Sequence, residues 1–366
     1  MKLLRLATTL NSTSAPYNQF SLGLKERTAQ TFCSLLKNDI SVDQNIEGLH
    51  GDGSIIKMIK LLRSLLKLNE YDVIHIHSGL TGIIFLIAIF PFNLRLLNKM
   101  VFTLHNSWNV LTTRNQILDF IVMLLSYKVC TCGVASKNSI PKTISFFINK
   151  KTIAVVNGFD HERIDNIDKR RSDKIHFTSS PCLKIICVGA LNRTKNQVIL
   201  LEALKRIEID AEVIFLGDGD KRQNLINKSK ELPINVLVNF KGRVSRDLAI
   251  EHMLEADISI SLSKGEGLPI AILESMYAGC YMILSKIPPH IEILPPQERC
   301  SFVEIDNYED VISSLLHARD EIENIRKSRS LSKEYSVSKF SVNNMLRDYI
   351  KIYESISKKT LNSNFS

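Results

Sequence analysis

The length and composition of the chain bound the class of protein. With 366 residues, of which 45% are hydrophobic and 23% charged, the chain has a globular composition and exceeds what one hydrophobic core usually organises. Its 15 glycines and 10 prolines exclude long low-complexity tracts, and we find no internal repeat. The net charge of +9 belongs mainly to residues 1–160, where 17 Lys and Arg against 9 Asp and Glu give +8 and leave +1 for the rest.

The cysteines and the apolar segments indicate the compartment. Seven cysteines, an odd number scattered through apolar runs, predict a reduced, cytoplasmic protein. Cys130 and Cys132 alternate without a second pair, so no zinc site is expected. The first residues have too short an apolar core for a signal peptide and predict a buried strand instead. Residues 82–92 form an apolar run of about half the length that spans a bilayer, which predicts a buried helix.

Strand-like apolar runs alternate with helical patterns along the chain. The runs in the first half are LLRLATTL, DVIHIHS, MVFTLHN, KVCTCGVAS and TIAVVNG. After a polar stretch the pattern restarts with LKIICVGAL, AEVIFLGDG, NVLVNFKG, ADISISLS and CYMILSK. Such alternation predicts parallel sheets in two α/β domains, 1–165 and 181–335, joined by a linker at 166–180. Sheets of this kind bind ligands at the carboxyl ends of their strands, so we expect a site in the cleft between the domains.

One predicted helix in the first half is both cationic and amphipathic. In SIIKMIKLLRSLLKLNE, four cations recur three or four residues apart beside an apolar stripe: Lys57, Lys60, Arg63 and Lys67. The pattern suits an anionic membrane surface, and it suits equally an ordinary surface helix packed on a sheet. Nucleic acid ranks last, because no aromatic platform or recognised binding motif accompanies the charge.

The stretch SKGEGLPIAILESMYAGC reads as a loop followed by a helix. Pro269 marks the first turn of the helix and Gly279 its end, after the strand ADISISLS. Glu266 lies in the loop and Glu274 about one and a half turns into the helix. Carboxylates accept paired hydrogen bonds from a sugar or ribose diol, and amides at a helix start can bind a diphosphate. The alternative is two unrelated surface glutamates.

Two other ligand classes fit poorly. A dinucleotide fingerprint needs three glycines directly after a strand, and FLGDGDKRQ has Gly217 and Gly219 but Arg222 in the third place. The acidic tripeptide Asp218–Asp220 in the same stretch is more typical of a polar turn than of a metal site.

Taken together, SLSKGEGLPIAILESMYAGCYMILSKIPPHIEIL resembles the signature of the retaining glycosyltransferases of family 4. CVGALNRTKNQVILLEAL, IFLGDGDKRQNL and VNFKGRVSRDLAIEHMLEADISISLS resemble further segments of the family's second domain, and YDVIHIHS, VFTLHN and VVNGFD resemble its first. The resemblance covers most of residues 70–295. It implies the GT-B fold, an α/β class of two Rossmann-like parallel-sheet domains facing a cleft, with a C-terminal helix at 336–366 that returns to the first domain.

The resemblance also implies roles for individual residues. Glu274 is expected to hold the ribose of a nucleotide-sugar, Glu266 to contact the transferred sugar, and Lys195 to neutralise the diphosphate as the glycosidic bond breaks. His105 is the histidine expected to face the donor sugar. The remaining donor-binding residues implied are Gly189, Arg193, Arg243, Val244, Gly267 and Leu268.

The chain departs from the family pattern at two places. The family usually has an arginine directly after Gly189, where this chain has Ala190, and Arg193 is a candidate substitute with its longer fork. The first loop carries Ser14 and Ala15 where relatives often have a Gly-Gly turn near the acceptor. We assign those two residues to the acceptor side.

The resemblance implies a retaining enzyme that moves a sugar from a nucleotide-sugar to a lipid-linked saccharide or surface-polysaccharide acceptor of lipopolysaccharide, O-antigen or capsule type. No metal or other cofactor is expected, because the lysine performs the electrostatic task, and no Ser/His/Asp or Cys/His constellation suggests a nucleophile. We expect a cytoplasmic protein, peripheral on the inner face of the membrane. The alternatives are a GT-B sugar-nucleotide epimerase and an inactive glycosyltransferase-like partner subunit, which Ala190 makes plausible.

Overall fold

Contacts within the chain divide it into two units. The computed structural model describes residues 1–10, 16–37, 43–172, 182–293, 295 and 299–363. Unit 1 comprises Met1–Asn157 and Val342–Ser366, and unit 2 comprises Gly158–Ser341. The domain and linker bounds drawn from the sequence remain predictions beside this division.

Unit 1 is built on a sheet of seven parallel strands. They are β1 (Lys2–Ala7), β2 (Ala29–Ser34), β3 (Ile46–His50), β4 (Val73–Ile76), β5 (Met100–Leu104), β6 (Lys128–Thr131) and β7 (Thr152–Ala154). Their order is β3-β2-β1-β4-β5-β6-β7, and every pairing is parallel. The central strands are buried on both faces, as expected for a parallel sheet that is covered on both sides.

The connections of unit 1 are helical. They are a π-helical turn (Pro16–Ser21), α1 (Leu22–Leu24), α2 (Ile55–Leu68), α3 (Gly79–Ile89), α4 (Thr113–Leu125), α5 (Val134–Asn138) and α6 (Lys142–Ile148), with 3-10 turns at Leu94–Lys99, Trp108–Val110 and Asn149–Lys151. Hydroxyl caps begin three of the helices: Ser54, Ser78 and Thr112 accept hydrogen bonds from amides three residues on. The apolar run of residues 82–92 falls largely in α3. Across the described ranges, no helix combines the length and apolarity needed to cross a bilayer.

Unit 2 is built on a second parallel sheet, of six strands. They are β8 (Leu183–Val188), β9 (Ala211–Leu216), β10 (Val236–Gly242), β11 (Ile258–Ser261), β12 (Tyr281–Ser285) and β13 (Cys300–Val303). Their order is β10-β9-β8-β11-β12-β13. The chain therefore winds outward from β8 and then returns to its other side at β11, and the ends of β8 and β11 flank the switch point where such sheets bind ligands.

The helices of unit 2 surround this sheet. They are α7 (His161–Ser172), α8 (Val198–Leu204), α9 (Arg222–Ser229), α10 (Arg246–Glu255), α11 (Ile270–Tyr277), α12 (Pro288–Ile293), α13 (Tyr308–Asp320), α14 (Ile322–Lys327) and α15 (Leu331–Phe340). The loop and helix predicted around Pro269 are observed as the start of α11.

The last helix, α16 (Val342–Ser363), completes unit 1. Because successive strand residues point to opposite faces, Phe102 and Leu104 of β5 pack under α2, α3, α4 and α6, while Val101 packs under α16 with Tyr349 and Tyr353. Unit 1 thus has a helical layer on each face of its sheet. The predicted α/β class, with two Rossmann-like parallel sheets, is confirmed.

Candidate functional site

The turn that follows β8 brings Lys195 over the end of that strand. Gly189 has a φ of 145°, which residues other than glycine rarely adopt. A Cβ at this position would lie 3.2 Å from the Lys195 Cε. The amide of Lys195 donates to the Asn192 Oδ1 at 3.0 Å, which closes the turn. The glycine therefore provides the space into which the lysine folds.

The loop that follows β11 carries Glu266 to the same place. The Lys264 amide donates to the Thr194 carbonyl at 2.8 Å and ties this loop to the turn after β8. The Lys195 Nζ then lies 2.5 Å from the Glu266 Oε1, and the buried Ser263 hydroxyl donates to the same oxygen at 2.5 Å. Two groups that the sequence placed in separate motifs thus form one ion pair at the switch point of the sheet.

The burial of this pair determines its electrostatic character. The Glu266 side chain is 9% exposed and that of Lys195 is 25% exposed. A largely buried carboxylate requires a cation and further hydrogen bonds to offset the loss of hydration, and Lys195 and Ser263 supply them. The lysine reaches solvent more than the glutamate does, so an anion arriving from solvent meets the ammonium first.

Glu274 forms a second ion pair within unit 2, with Arg246. Glu274 lies on α11 with a 4% exposed side chain, and the Arg246 Nη2 on α10 donates to its Oε1. Burial raises the pKa of Glu274, and the neighbouring Arg246 opposes that rise. Arg243 and Val244 lie between the end of β10 and Ser245, which caps α10. Arg246 is the first residue of α10.

The two remaining predicted residues of the β11 loop are enclosed. Gly267 and Leu268 are buried just before α11, which begins at Ile270. They position the backbone between Glu266 and Glu274 rather than presenting polar side chains.

Arg193 faces a different part of unit 2 from Lys195. It lines a cavity of about 340 Å³, together with Lys221, Lys264 and Asp306. Lys264 pairs with Asp306 at 2.5 Å, and Arg193 helps hold the pKa of Asp306 below its usual value, after Lys264 and Asn196. The contacts that the structure gives for Arg193 are therefore those of the Asp306 cavity.

A buried histidine lies beside the same pair. His290, fully buried on α12, has its Nδ1 2.8 Å from the Ser285 carbonyl, and the Ser285 hydroxyl donates to the Ser263 carbonyl at 2.5 Å. Burial lowers the pKa of His290 to about 4, although the Glu266 charge acts in the other direction. Its Nε2 has no hydrogen-bond partner among the described residues.

In unit 1, the half-buried His105 ends a chain of histidines whose other two members, His75 and His77, are buried. His77 Nδ1 lies 3.0 Å from His105 Nε2, and the buried Arg5 Nη1 lies 3.4 Å from His77 Nε2 and 3.0 Å from His75 Nδ1. His75 lies on β4 and His77 directly follows it, and their ring centroids are 4.0 Å apart, as expected for extended residues two positions apart that point to the same side. The other nitrogen of His75 contacts the Thr103 hydroxyl at 2.7 Å.

The guanidinium of Arg5 determines the tautomers in this chain, because arginine can only donate. His77 Nε2 must accept from Arg5, so the His77 proton lies on Nδ1 and is donated to His105 Nε2. His105 is then neutral with its proton on Nδ1, whereas His75 accepts at Nδ1 and donates from Nε2 to Thr103. Burial lowers the pKa of His105 to about 4 and those of His75 and His77 well below the usual value, which agrees with neutral rings.

The acceptor-side residues Ser14 and Ala15 lie outside the described residues. Within the ranges that are described, no group of three or more His, Cys, Asp or Glu side chains is arranged to hold a metal ion.

Sequence reasoning missed several residues that the structure places at these centres. Arg246, Ser263 and His290 touch or neighbour the two glutamates, and Arg5 directs the histidine chain. His290 lies inside the recognised glutamate segment, which was the available signal. Arg5 carries no motif and is a charge inside the first apolar strand, a position where buried charges are rare enough to be noticed.

The chain is similar to known proteins of one class. Residues 168–330 match the family model described as glycosyl transferases group 1. The chain is 27% identical over 250 residues to the capsular polysaccharide biosynthesis glycosyltransferase CapH of Staphylococcus aureus, across 65% of this chain and just under two thirds, 64%, of CapH. It is 27% identical over 293 residues to the UDP-Gal:alpha-D-GlcNAc-diphosphoundecaprenol alpha-1,3-galactosyltransferase of Escherichia coli, across 73% of this chain and 72% of that enzyme.

Solved structures of similar fold cover nearly the whole chain. Anabaena HepE in complex with UDP and glucose superposes with a TM-score of 0.76 at 16% identity, over 97% of this chain and all of that one. The sucrose-phosphate synthase of Thermosynechococcus elongatus does so with a TM-score of 0.76 at 12% identity, over 97% and 99%. At these identities the likeness concerns the fold, which is GT-B. With residues 168–330 matching the group 1 family model and glycosyltransferases among its relatives, the chain is a glycosyltransferase.

Proposed function

We propose that this glycosyltransferase is a retaining enzyme of family 4 that moves a sugar from a nucleotide-sugar donor to a lipid-linked saccharide. The observation that carries the proposal is the Lys195–Glu266 ion pair at the switch point of the unit 2 sheet. It places a cation and a hydrogen-bond acceptor side by side where parallel sheets bind ligands. A sugar diphosphate needs both.

In this proposal the ammonium of Lys195 exchanges its ion pair with Glu266 for one with the donor diphosphate. The ammonium then neutralises charge that builds on the departing phosphate, and no metal is required for that task. Glu266 still accepts a hydrogen bond from the Ser263 hydroxyl. Once Lys195 has left, the Glu266 carboxylate also accepts hydrogen bonds from the hydroxyls of the transferred sugar. The ion pair therefore keeps both groups ordered before the donor arrives.

Glu274 is the proposed ribose ligand. Its carboxylate is buried and held by Arg246, so it is preorganised to accept hydrogen bonds from a diol. Arg243 and Val244, in the segment just before Arg246, are proposed to line the nucleotide, and Gly267 and Leu268 the sugar phosphate.

Because Ala190 stands where the family usually has an arginine, Lys195 is proposed to be the main cation of the turn that follows β8. Arg193 lines the cavity with Asp306, and its contact with the diphosphate remains a prediction from the sequence. Transition-state charge is then carried by one ammonium and by backbone amides at the start of α11.

The acceptor hydroxyl is proposed to attack from the face that the diphosphate leaves, with the departing phosphate taking its proton. This mechanism preserves the anomeric configuration without a protein nucleophile. His105, neutral and with its proton on Nδ1, is proposed to donate a hydrogen bond to the donor sugar.

The names of two relatives support the acceptor class. The Escherichia coli relative is named for a diphosphoundecaprenol acceptor, and so is a Campylobacter jejuni N-acetylgalactosaminyltransferase that is 23% identical over 218 residues. HepE has been solved with UDP and glucose, which favours a UDP-sugar as the donor. We propose a cytoplasmic protein at the inner membrane face, with the cations of α2 among its contacts to anionic lipid.

A product assay tests the proposal. The purified protein is incubated with UDP-, GDP- and TDP-sugars and a polyprenyl-diphosphate saccharide extracted from membranes, and nucleotide release and lipid-linked product are followed. We expect the nucleoside diphosphate and the lengthened lipid-linked saccharide to form in equal amounts. A changed sugar still attached to its nucleotide would identify the epimerase alternative, and the absence of donor binding by calorimetry would identify the inactive-subunit alternative.

A further inference from the structure

The outer surface of one helical layer in unit 1 is unusually apolar. The layer consists of α2, α3, α4 and α6, whose inner sides pack on the sheet in one hydrophobic cluster. Its outer side exposes large apolar side chains on neighbouring elements: Ile117, Ile121, Leu124, Phe146, Phe147 and Phe92. We call these six residues the apolar face. Because α3 packs on α4 and α4 packs on α6, they belong to one continuous layer.

The α4 helix is apolar on two sides. Val122 and Met123 are buried against the sheet, as an amphipathic helix requires. Ile117, Ile121 and Leu124 recur at spacings of four and three residues on the exposed side, so they form a second stripe. A single exposed leucine needs no explanation, but a stripe at helical spacing marks an interaction surface.

Two phenylalanines extend this stripe on α6. Phe146 and Phe147 are 83% and 61% exposed, and their rings lie edge to face with centroids 5.3 Å apart. Phe92, 83% exposed, follows the end of α3. Rings held this far out of a folded domain are typical of groups that enter the acyl boundary of a membrane.

The segment that carries the apolar face is predominantly positive. Residues 55–150 contain eleven Lys and Arg and three Asp and Glu, a net +8 that nearly equals the +9 of the whole chain. One of those three acids, Asp119, is buried. Exposed cations flank the apolar residues on the same helices, among them Arg114 on α4 and Lys142 on α6. An apolar surface rimmed by cations complements anionic lipid. Two copies of this surface would repel each other, because both carry positive charge.

We propose that the apolar face docks on an anionic lipid bilayer, with Phe146 and Phe147 entering the acyl boundary. The proposal extends the proposed function, on which it rests for the lipid-linked acceptor, and it assigns the membrane contact to α4 and α6 in addition to the cationic α2. The helical layer lies on the membrane, and the sheet of unit 1 stands behind it.

Vesicle co-sedimentation tests this surface. Wild type, a Phe146→Ser/Phe147→Ser variant and an Ile117→Ser/Leu124→Ser variant are compared on phosphatidylcholine vesicles with and without phosphatidylglycerol. A matched control, Ile234→Ser/Leu237→Ser, removes two exposed apolar residues from unit 2, the first of them 99% exposed. Circular dichroism melting verifies that each variant is folded.

We expect wild type and the unit 2 control to bind phosphatidylglycerol vesicles, and each unit 1 variant to bind about tenfold or more weakly. A Phe147→Trp variant should show a blue-shifted emission that brominated lipid quenches. Equal vesicle binding by wild type and both unit 1 variants would overturn the proposal. So would a wild-type dimer in size-exclusion chromatography that the phenylalanine variant converts to monomer without a change in vesicle binding.

The two proposals fail separately. Sugar transfer to a short-chain, water-soluble acceptor without any vesicle binding would remove the docking surface and leave the proposed function. Vesicle binding that the phenylalanine variant loses, in a protein that transfers no sugar, would leave the docking surface and remove the proposed function.

Discussion

Glu274 and Arg246 show how one buried residue can have both a structural and a binding role. Replacing Glu274 by Gln keeps the size of the side chain but leaves Arg246 without its counter-charge. We expect the free energy of unfolding to fall by about 3 kcal/mol. We expect donor affinity to fall by about tenfold or more, because a neutral amide accepts weaker hydrogen bonds from a diol.

Calorimetry with UDP-sugars and urea unfolding measure these two effects. Glu255→Gln is the matched control, since Glu255 pairs with Arg171 at 3.2 Å in the same unit and has no proposed donor contact. The ribose assignment is wrong if Glu274→Gln binds donor as tightly as the control does.

The histidine chain of unit 1 makes a prediction about protons. In wild type, long-range ¹H–¹⁵N spectra should show neutral rings near pH 7, with the proton of His77 and of His105 on Nδ1 and that of His75 on Nε2. Arg5→Met should mix these tautomers, because the guanidinium that can only donate to His75 and His77 is gone. The methionine removes a buried charge, but the buried Gln30 Oε1 loses its Arg5 Nε donor, so circular dichroism melting verifies that the variant is folded.

Arg27→Met, at an exposed position of the same unit, serves as the control and should leave the histidine signals in place. A wild-type His105 that carries its proton on Nε2 would refute the directed chain. A His105 that is protonated on both nitrogens near pH 7 would refute it as well.

The buried His290 makes the free energy of unfolding depend on pH. Its folded pKa of about 4 lies below the ordinary value of 6.5, so between these values the unfolded state binds a proton that the folded state does not. The contribution is complete above about pH 6.5 and is lost as the pH falls toward 4. On acidification to about pH 5, wild type should lose about 2 kcal/mol more than His290→Gln does. Urea unfolding of both proteins across this range measures the difference, and parallel pH profiles would show that His290 titrates normally.

At the scale of elements, α2 combines a buried stripe with exposed cations. Met58, Leu62 and Leu65 are buried against the sheet, so the packed-helix reading of its sequence is correct for that side. On the other side Lys57, Lys60 and Lys67 are exposed. Arg63 differs from them, because its Nε donates to the Ala88 carbonyl at 3.2 Å and joins α2 to α3.

Neutralising the three exposed lysines tests their membrane role without disturbing that joint. Lys57→Gln/Lys60→Gln/Lys67→Gln should bind phosphatidylglycerol vesicles about a hundredfold more weakly at low salt, at about 1 kcal/mol per lysine. The difference should shrink as salt is raised. The control changes three exposed lysines of unit 2, Lys169, Lys230 and Lys327, to Gln. Equal losses in the two variants would mean that net charge, rather than α2, governs binding.

At the scale of the whole molecule, donor binding should stabilise the folded chain. A ligand at about a hundred times its Kd, bound only by the folded form, adds about 2.7 kcal/mol and raises Tm by roughly a few degrees. A thermal-shift panel of UDP-, GDP- and TDP-sugars should therefore contain one series that raises Tm. UMP should raise it less than UDP, because Lys195 is proposed to bind the diphosphate.

Lys195→Gln should remove most of the difference between UDP and UMP, while Lys221→Gln, a change to an exposed lysine in the same unit, should retain it. A panel in which no nucleotide-sugar shifts Tm would contradict the donor assignment. A Lys195→Gln variant that keeps the full difference would contradict the role of the lysine alone.

Much of the architecture was predictable because it depends on short-range pattern. Alternating apolar strands and helices predicted two parallel α/β sheets, and Pro269 and Gly279 marked a loop and helix that the structure contains as α11. The segments that resemble the family also marked Glu266, Glu274 and Lys195. A motif records which residues are present in order along the chain, and these patterns are local.

The partners of those residues depended on the tertiary structure. Lys195 and Glu266 are 71 residues apart, and they meet only because β11 returns to lie beside β8. Arg5 reaches His75 across 70 residues because β1 and β4 are neighbours, and the apolar face exists because α3, α4 and α6 pack side by side. The sequence by itself determined the secondary structure and the types of chemical group at the site. Strand order and helix packing decided which groups meet, because contacts between distant residues are set by topology, and no pattern along the chain records topology.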